Sequence, residues 1–253
     1  MLNDQDFLRY SRQLLLEEVG PAGQKQLQAA TVLLAGLGGL GSVASLYLAA
    51  AGVGTLLLAD DDSLYMTNLQ RQILYRTGDI GQLKAEVAKQ QLTALNPQVR
   101  YIALTRRLQN TTWLDEQVMR ANVVLDCSDN MVTRHVINTT CVRSSIPLIS
   151  ASAVGFNGQM MVLQPPWRSG CYACLFPDLQ PPQNTQRNCR TAGILGPVVG
   201  IMGTLQALEA IKLLCGLPMK TAGKLWLFDG KTLQWRILYL SRNKQCSVCA
   251  TNT

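Results

Sequence analysis

The stretch from Thr31 to Asp62 constrains the fold more than any other part of the chain. A short apolar run leads into a glycine-rich turn, GLGGLG, and then into a helix-length segment of small residues, a second apolar run and an acid. This order is typical of a nucleotide-binding βαβ unit. Gly36 would allow the tight turn, Gly38 would let the backbone approach a phosphate, and Gly41 would let helix and strand pack closely.

The same unit predicts where a nucleotide would bind. The helix after the turn, which includes Gly39, offers N–H groups and the positive end of its dipole to a phosphate. Asp60 lies 19 residues beyond Gly41, about where a ribose hydroxyl would be held. A glycine-rich turn in a purely structural α/β unit is the alternative. By itself the unit does not distinguish NAD from ATP.

The length and charge of the chain narrow the possible functions. With 253 residues, one large domain or a domain with an appendage is expected. The formal net charge is +7, but the positive residues are scattered and match no pattern of a nucleic-acid-binding domain. The charge therefore favours a polyanionic small molecule, such as a nucleoside triphosphate, together with an acidic protein partner, and no nucleic acid.

The hydropathy of the chain predicts a cytoplasmic protein without a membrane partner. The first ten residues contain two acids and no apolar h-region, so no secretory signal is predicted. The longest apolar segment, 194–215, contains Pro197, Glu209 and Lys212. We expect it to form a buried helix and not a membrane span.

The two halves of the chain differ in pattern. In residues 1–152, strands alternate with helices, which predicts a Rossmann-like α/β fold, a mostly parallel sheet with helices on both faces. Residues 153–253 predict a smaller antiparallel β part with a long loop, mobile over about 177–190. The predicted helices are 5–19, ended by Pro21 and Gly23, 81–95, 131–144 and 198–215; the predicted strands are 99–104, 122–126, 147–151, strand material around a turn in 153–164, and a hairpin of 224–229 and 233–240.

Two Cys-x-x-Cys pairs predict a metal site, Cys171 with Cys174 and Cys246 with Cys249. Each pair can bind a metal from a tight turn, and two pairs complete the tetrahedral four-sulfur site that suits structural Zn²⁺. Because 71 residues lie between the pairs, the zinc would pin the C-terminal tail to the loop that holds the first pair. A redox role is the alternative, but no thioredoxin-like context supports it.

A set of polar residues could act on a nucleoside triphosphate. Cleaving one requires cations near the reacting phosphorus and the leaving pyrophosphate, and a carboxylate that holds Mg²⁺. Taken singly, each candidate would be an ordinary surface residue. Most of them follow strands, where open α/β sheets bind their ligands, and this joint placement favours function. The candidates are Arg12, Asn68, Arg71, Lys84 and Asp129.

The single histidine and the remaining cysteines carry further predictions. His135 lies inside a predicted helix, so a dehydrogenase would lack its usual proton-relay residue. Cys189 lies in RNCR, where neighbouring cations favour the thiolate, and it is the candidate reactive cysteine. Cys127, Cys141 and Cys215 lie in apolar contexts and are expected to be inert.

Together these motifs resemble the ThiF/MoeB family, bacterial relatives of the ubiquitin-activating E1 enzymes. The resemblance runs from YSRQ at residues 10–13 to the last Cys-x-x-Cys pair and includes GLGGLG, LADDD, NLQRQ, Lys84, LDCSDN and RNCRTAG. Within the family, the chain is most similar to the enzymes that act on the thiamine sulfur carrier. The resemblance implies a single E1-like adenylation domain, with a nucleotide-binding half over 1–152 and a carrier-binding half over 153–253.

The resemblance also implies a reaction and a set of partners. The terminal carboxylate of a ubiquitin-fold carrier ending in Gly-Gly would attack the α-phosphorus of Mg-ATP, giving an acyl-adenylate and pyrophosphate, and a sulfur donor protein would then act. A homodimer is implied, because Arg12 would reach the active site of the other subunit, and Cys189 would link to the activated carrier. By matching motif, the glycines Gly36, Gly38, Gly39 and Gly41 form the nucleotide loop, Asp60 holds the ribose, Asn68, Arg71 and Lys84 contact phosphates, and Asp129 holds Mg²⁺.

Three alternatives remain open. The same chemistry could serve the small subunit of molybdopterin synthase. The chain could be an NAD-binding regulatory or redox protein with a zinc-stabilised tail, although the cationic residues argue against it. It could also be a scaffold that binds a carrier without catalysis, although a scaffold would be free to lose Arg71 or Asp129.

Overall fold

The computed structural model describes residues 2–109, 111–177 and 193–250. Within these ranges, eight strands form one sheet in the order β3-β2-β1-β4-β5-β6-β7-β8. The strands are β1 Thr31–Ala35, β2 Thr55–Ala59, β3 Arg100–Leu104, β4 Val123–Asp126, β5 Leu148–Val154, β6 Asn157–Leu163, β7 Lys224–Asp229 and β8 Gln234–Tyr239. The helices are α1 Asp4–Arg9, α2 Ser11–Leu14, α3 Gly20–Ala29, α4 Gly39–Ala50, α5 Lys84–Leu95, α6 Thr112–Met119, α7 Met131–Ser144, α8 Tyr172–Leu175 and α9 Gly196–Leu214, with 3₁₀ turns at Met66–Asn68 and Thr77–Asp79.

The sheet changes direction part-way across. The pairings among β1 to β5 are all parallel, and the pairings among β5 to β8 are all antiparallel. The predicted mostly parallel sheet and smaller antiparallel part are thus confirmed, and the two parts form one continuous sheet. Strand β1 lies between β2 and β4, which is the point where the strand order reverses and where open α/β sheets bind their ligands.

Helices cover both faces of the sheet, as predicted. On one face, α4, α5 and α9 bury their apolar sides against alternate residues of β1, such as Val32 and Leu34. On the other face, α6, α7 and the cysteine pairs pack against Leu33 and Ala35. Each fully buried leucine on these strands contributes about 1.5–3 kcal/mol relative to an exposed one. This two-sided burial explains why β1 and β2 are continuous apolar runs.

The N-terminal helix predicted over 5–19 is wrong. The chain forms two short helices that are separated at Tyr10, whose ring is buried and whose hydroxyl accepts a hydrogen bond from Asn96 at 2.9 Å. Pro21 lies in the first turn of the next helix instead of ending the previous one, because a proline has no N–H to lose in the first turn. Gly23 is buried within that helix. The other predicted helices and strands are present, with ends shifted by at most three residues, whereas α3, α6 and α8 had no sequence prediction.

The long apolar helix α9 packs against α4 and the sheet. Within the described ranges it is the one helix long and apolar enough to cross a membrane by length and composition. A Cβ atom on Gly203 would lie 2.5 Å from the carbonyl oxygen of Leu40, so the two helix backbones are in close contact. Eight of its residues, including Met202 and Gln206, are buried, which agrees with the expected buried helix.

Candidate functional site

The glycine turn connects β1 to α4 in a form that requires glycine. Gly36 has a φ of +98° and its N–H donates to the carbonyl oxygen of Ala59 at 2.8 Å. A Cβ atom on Gly41 would lie 1.9 Å from the carbonyl oxygen of Gly36, and one on Gly39 would lie 3.0 Å from Val199. Gly38 precedes the first residue of α4. The turn therefore presents backbone and the N-terminus of α4 without side chains, as a phosphate site requires.

Asp60, at the end of β2, is tied to this turn. One carboxylate oxygen accepts the N–H of Leu37 at 2.8 Å, and the other accepts the N–H of Asp62 at 2.9 Å. Burial raises the pKa of Asp60, and the positive charge of Lys84 opposes that shift. Asp60 thus orients the glycine turn in addition to the ribose contact that the sequence predicts, a role that sequence reasoning missed.

Lys84 is the first residue of α5 and is only 5% exposed. Its Nζ lies 3.0 Å from Oδ2 of Asp62, whose backbone carbonyl also accepts the N–H of Lys84. A lysine at a helix N-terminus opposes the helix dipole, and the carboxylate of Asp62 compensates for it. No partner was assigned to Asp62 from the sequence. The run of three aspartates after β2 was the signal that could have indicated one.

Residues 66–72 lie against the glycine turn. The Cγ of Arg71 is 3.4 Å from the position that a Cβ atom on Gly39 would take, and its guanidinium donates to the carbonyl oxygen of Thr67 at 3.0 Å. Asn68 accepts the N–H of Tyr65 at 3.1 Å. Gln72 is buried, its Nε2 lies 3.6 Å from the Cβ position on Gly38, and its Oε1 has no partner among the described residues. Sequence reasoning quoted this glutamine only as part of a motif.

Asp129 lies in the loop that follows β4, beside the same turn. The N–H of Cys127 donates to the carbonyl oxygen of Ala35 at 2.9 Å, and the carbonyl oxygen of Cys127 is 2.9 Å from the position of a Cβ atom on Gly36. Asp129 itself is exposed, with the amide of Asn130 at 3.4 Å. Because this carboxylate is accessible and neighbours the glycine turn, it could hold a Mg²⁺ ion of a nucleotide bound there.

One predicted site residue, Arg12, lies away from this turn. Arg12 is exposed on α2, which is attached to the far end of α4 through Gln13, whose Nε2 donates to the carbonyl oxygen of Ala51 at 2.9 Å. Because α4 has 12 residues, that end lies about 18 Å from the turn. The structure thus brings together Asn68, Arg71, Lys84 and Asp129, but not Arg12 of the same chain. Cys189 lies outside the described residues.

The four predicted zinc ligands converge. The sulfur atoms of Cys171, Cys174, Cys246 and Cys249 all lie within 4.8 Å of one another. Across the two motifs, the sulfurs of Cys174 and Cys249 are 3.5 Å apart and those of Cys171 and Cys246 are 3.8 Å apart. In a tetrahedral site with Zn–S bonds of about 2.3 Å, sulfurs lie about 3.8 Å apart. Asn138 donates to the sulfur of Cys171 at 3.5 Å. A four-sulfur cluster of this size fits structural Zn²⁺ and leaves no ligand position for a substrate.

The other described cysteines and the single histidine are buried or half-buried. Cys127 and Cys141 are buried, and burial raises the pKa of both thiols. Burial also raises the pKa of the half-buried Cys215. These thiols are therefore poor nucleophiles. His135 is half-buried and packs edge-on against Tyr172, with ring centroids 5.5 Å apart.

Comparison with known proteins identifies the family. The profile of the ThiF family matches residues 10–248. The chain belongs to the ThiF family. The sulfur carrier protein ThiS adenylyltransferase of Escherichia coli (strain K12) is 59% identical over 248 residues, which span 98% of this chain and 97% of that protein. The molybdopterin-synthase adenylyltransferase of the same organism is 40% identical over 98% of both chains.

A solved structure agrees with this ThiF family fold. The crystal structure of E. coli MccB with ATP superimposes with a TM-score of 0.82 at 25% identity, covering 98% of this chain and 75% of that one. The resemblance predicted from the sequence motifs is therefore confirmed at the level of family and fold.

Proposed function

We propose that this ThiF family member adenylates the C-terminal glycine carboxylate of a ubiquitin-like sulfur carrier in thiamine thiazole biosynthesis. ATP is the other substrate, pyrophosphate is released, and the carrier is prepared for thiocarboxylate formation. The observation that carries the proposal is the 59% identity to the E. coli ThiS adenylyltransferase over nearly the full length of both chains. The corresponding identity to the molybdopterin-synthase enzyme is 40%.

The geometry of the site supports adenylation. A carboxylate is already a nucleophile, so the protein must mainly position it and stabilise the negative charge that develops at the α-phosphorus. The glycine turn with the N-terminus of α4 would hold phosphate, while Arg71, Lys84 and Asn68 border it. Asp60 would hold the ribose, and Asp129 would hold the Mg²⁺ that accompanies ATP. No step of this chemistry requires a histidine, which fits the position of His135.

The ion pair that the buried Lys84 forms with the exposed Asp62 suits this role. Lys84 is held at 3.0 Å by Asp62, whose side chain is 66% exposed. A triphosphate bound at the turn would compete with Asp62 for the ammonium group, because phosphate oxygens are strong acceptors of charge-assisted hydrogen bonds. The lysine would therefore have an anionic partner in either state, the carboxylate or a phosphate.

An exchange assay tests the function and the pathway together. The purified protein should exchange labelled pyrophosphate into ATP only when a carrier ending in Gly-Gly is present. The thiamine carrier and the small subunit of molybdopterin synthase should be compared side by side. Exchange with the second carrier and not with the first would reverse the choice of pathway, and exchange with neither would refute adenylation of these carriers.

The zinc centre would be structural in this scheme. It joins the loop before α8 to the C-terminal tail, on the face of the sheet that carries α7. Its ligands are four cysteines, and a closed site of this kind supplies folding energy and not catalysis. The remaining partners of the proposal are a second copy of the chain, in a cytoplasmic homodimer, and a sulfur donor protein.

Cys189 carries a separate prediction about sulfur transfer. The residue lies outside the described part of the chain, so its role rests on the motif RNCRTAG. Cys189→Ser should keep wild-type pyrophosphate exchange and lose formation of the carrier thiocarboxylate, because only the transfer step would use the thiol. Cys215→Ser should change neither reaction. Loss of exchange in Cys189→Ser would place the thiol in the adenylation site instead.

A further inference from the structure

A buried arginine and a buried aspartate lie directly beneath the loop that carries Asp129. Arg134 on α7 is 5% exposed and Asp126 at the end of β4 is 1% exposed. The guanidinium Nη1 of Arg134 lies 3.1 Å from Oδ2 of Asp126. Neither side chain can reach a substrate, and a buried ion pair requires further hydrogen bonds to offset its desolvation.

Those further bonds converge on one short loop. The guanidinium of Arg134 also donates to the carbonyl oxygens of Ser128 and Ala151, and to the hydroxyl of Ser150 at 3.1 Å. The carboxylate of Asp126 accepts from Ser150 at 2.7 Å, and from the hydroxyl and N–H of Ser128 at 2.6 and 3.1 Å. The pair thus fixes the start of the loop, the end of β4 and the middle of the adjacent strand β5.

The opposite face of the sheet holds the same loop. Gln206 on α9 is fully buried, and its Nε2 donates to the carbonyl oxygens of Asp126 and Ile149 at 2.9 and 3.0 Å. Its Oε1 accepts from the thiol of Cys127 at 3.4 Å. The loop is therefore clamped between α7 and α9, next to the glycine turn, while Asp129 one residue beyond Ser128 projects into solvent.

We infer that the buried pair of Arg134 and Asp126 is a positioning device that aims Asp129 at the triphosphate. This inference rests on the proposed function. The pair does not act through its charge at the reacting atoms. The forked guanidinium is needed because its N–H groups bond to four acceptors, which lie on β4, on the loop after it and on β5. A displacement of about 1 Å in a group that positions a reactant can cost about 10²-fold in rate. The loss of rate should appear in the step that depends on Mg²⁺, because Asp129 is the proposed ligand of that ion.

The test compares Arg134→Lys with Arg143→Lys. Both residues lie on α7, but Arg143 pairs with Asp115 at the surface, so its variant controls for loss of a guanidinium. In the exchange assay, Arg134→Lys should lose about 10²-fold in kcat and require several-fold more Mg²⁺ for half-maximal rate. The KM for the carrier should be unchanged. Arg143→Lys should match the wild type in all three quantities.

Further outcomes distinguish a positioning role of Arg134 from a role in folding alone. If Arg134→Lys is unfolded by circular dichroism, Ser150→Ala becomes the deciding variant, because it removes one bridging hydroxyl and leaves both charges in place. It should show a smaller rise in the Mg²⁺ requirement. A folded variant with reduced kcat and a wild-type Mg²⁺ requirement would overturn the inference. Exchange absent from the wild-type protein would refute the proposed function, and the inference with it.

Discussion

Lys84 illustrates how a functional residue conflicts with local stability. Its side chain is buried at the start of a helix, where both desolvation and the helix dipole disfavour a cation. Asp62 compensates from the neighbouring loop at 3.0 Å, and the charge of Lys84 in turn lowers the raised pKa of Asp60. The three groups therefore form one electrostatic unit beside the glycine turn, consistent with a site built to hold a polyanion.

Substitution of the cations at the turn should abolish exchange without unfolding the protein. Lys84→Ala and Arg71→Ala should each lower kcat for pyrophosphate exchange by about 10²–10³-fold, because each removes one oriented donor for the transition-state charge. Lys89→Ala is the matched control, since Lys89 is an exposed residue on the same helix and should keep full activity. Near-normal exchange in both Lys84→Ala and Arg71→Ala would refute the phosphate assignment.

The residue scale also shows the limit of sequence reasoning. Asn68, Arg71, Lys84 and Asp129 could be proposed because each follows a strand or begins a helix at the carboxyl edge of a parallel sheet. The ion pairs around the site could not be proposed in the same way. The pairings of Lys84 with Asp62 and of Arg134 with Asp126 depend on which segments become neighbours in space, and sequence spacing does not give that information.

At the scale of elements, the two cysteine pairs act as a clasp on the C-terminal tail. Cys171 immediately precedes α8 and Cys174 lies within it, whereas the second pair follows β8 by several residues. Backbone contacts support the clasp: the N–H of Asn243 donates to the sulfur of Cys174 at 3.4 Å, and the guanidinium of Arg242 donates to the carbonyl oxygen of Cys249. Metal binding and local folding should therefore be coupled.

Loss of one cysteine ligand should release the metal. Cys249→Ser should reduce bound zinc well below the one ion per chain expected of the unaltered protein, and should increase protease cleavage of the tail, because three thiolates no longer complete the site. Zinc is measured by elemental analysis after dialysis against a chelator. Cys215→Ser, which changes a cysteine outside the cluster, should retain the metal. Undiminished zinc in Cys249→Ser would refute the ligand set.

The helices and strands could be predicted where a short stretch of sequence indicated them. The apolar runs, the glycine turn and the Asn-Pro stop after α5 gave most strands and helices to within three residues. The N-terminal segment failed because its helical pattern continues past Tyr10, whereas the buried ring of that residue ends the first helix and Asn96 binds its hydroxyl. Tertiary contacts of this kind override a periodic pattern.

At the scale of the whole molecule, the sheet collects the site residues at one edge and leaves Arg12 at the other. The turn after β1, Asp60 after β2 and the loop after β4 meet because these three strands are adjacent and parallel. The packing of α2 on the far end of α4 means that Arg12 cannot complete this site within one subunit. A second copy of the chain is the partner that could bring another Arg12 to the turn.

A mixing experiment tests whether two subunits share a site. Arg12→Ala and Lys84→Ala homodimers should each be nearly inactive in pyrophosphate exchange. After mild dissociation and reassociation of an equal mixture, each heterodimer would contain one site with both residues intact, so about a quarter of the wild-type activity should return. A mixture prepared without dissociation is the control. If Arg12 acted within its own chain, every heterodimer site would lack one of the two residues and activity would not return.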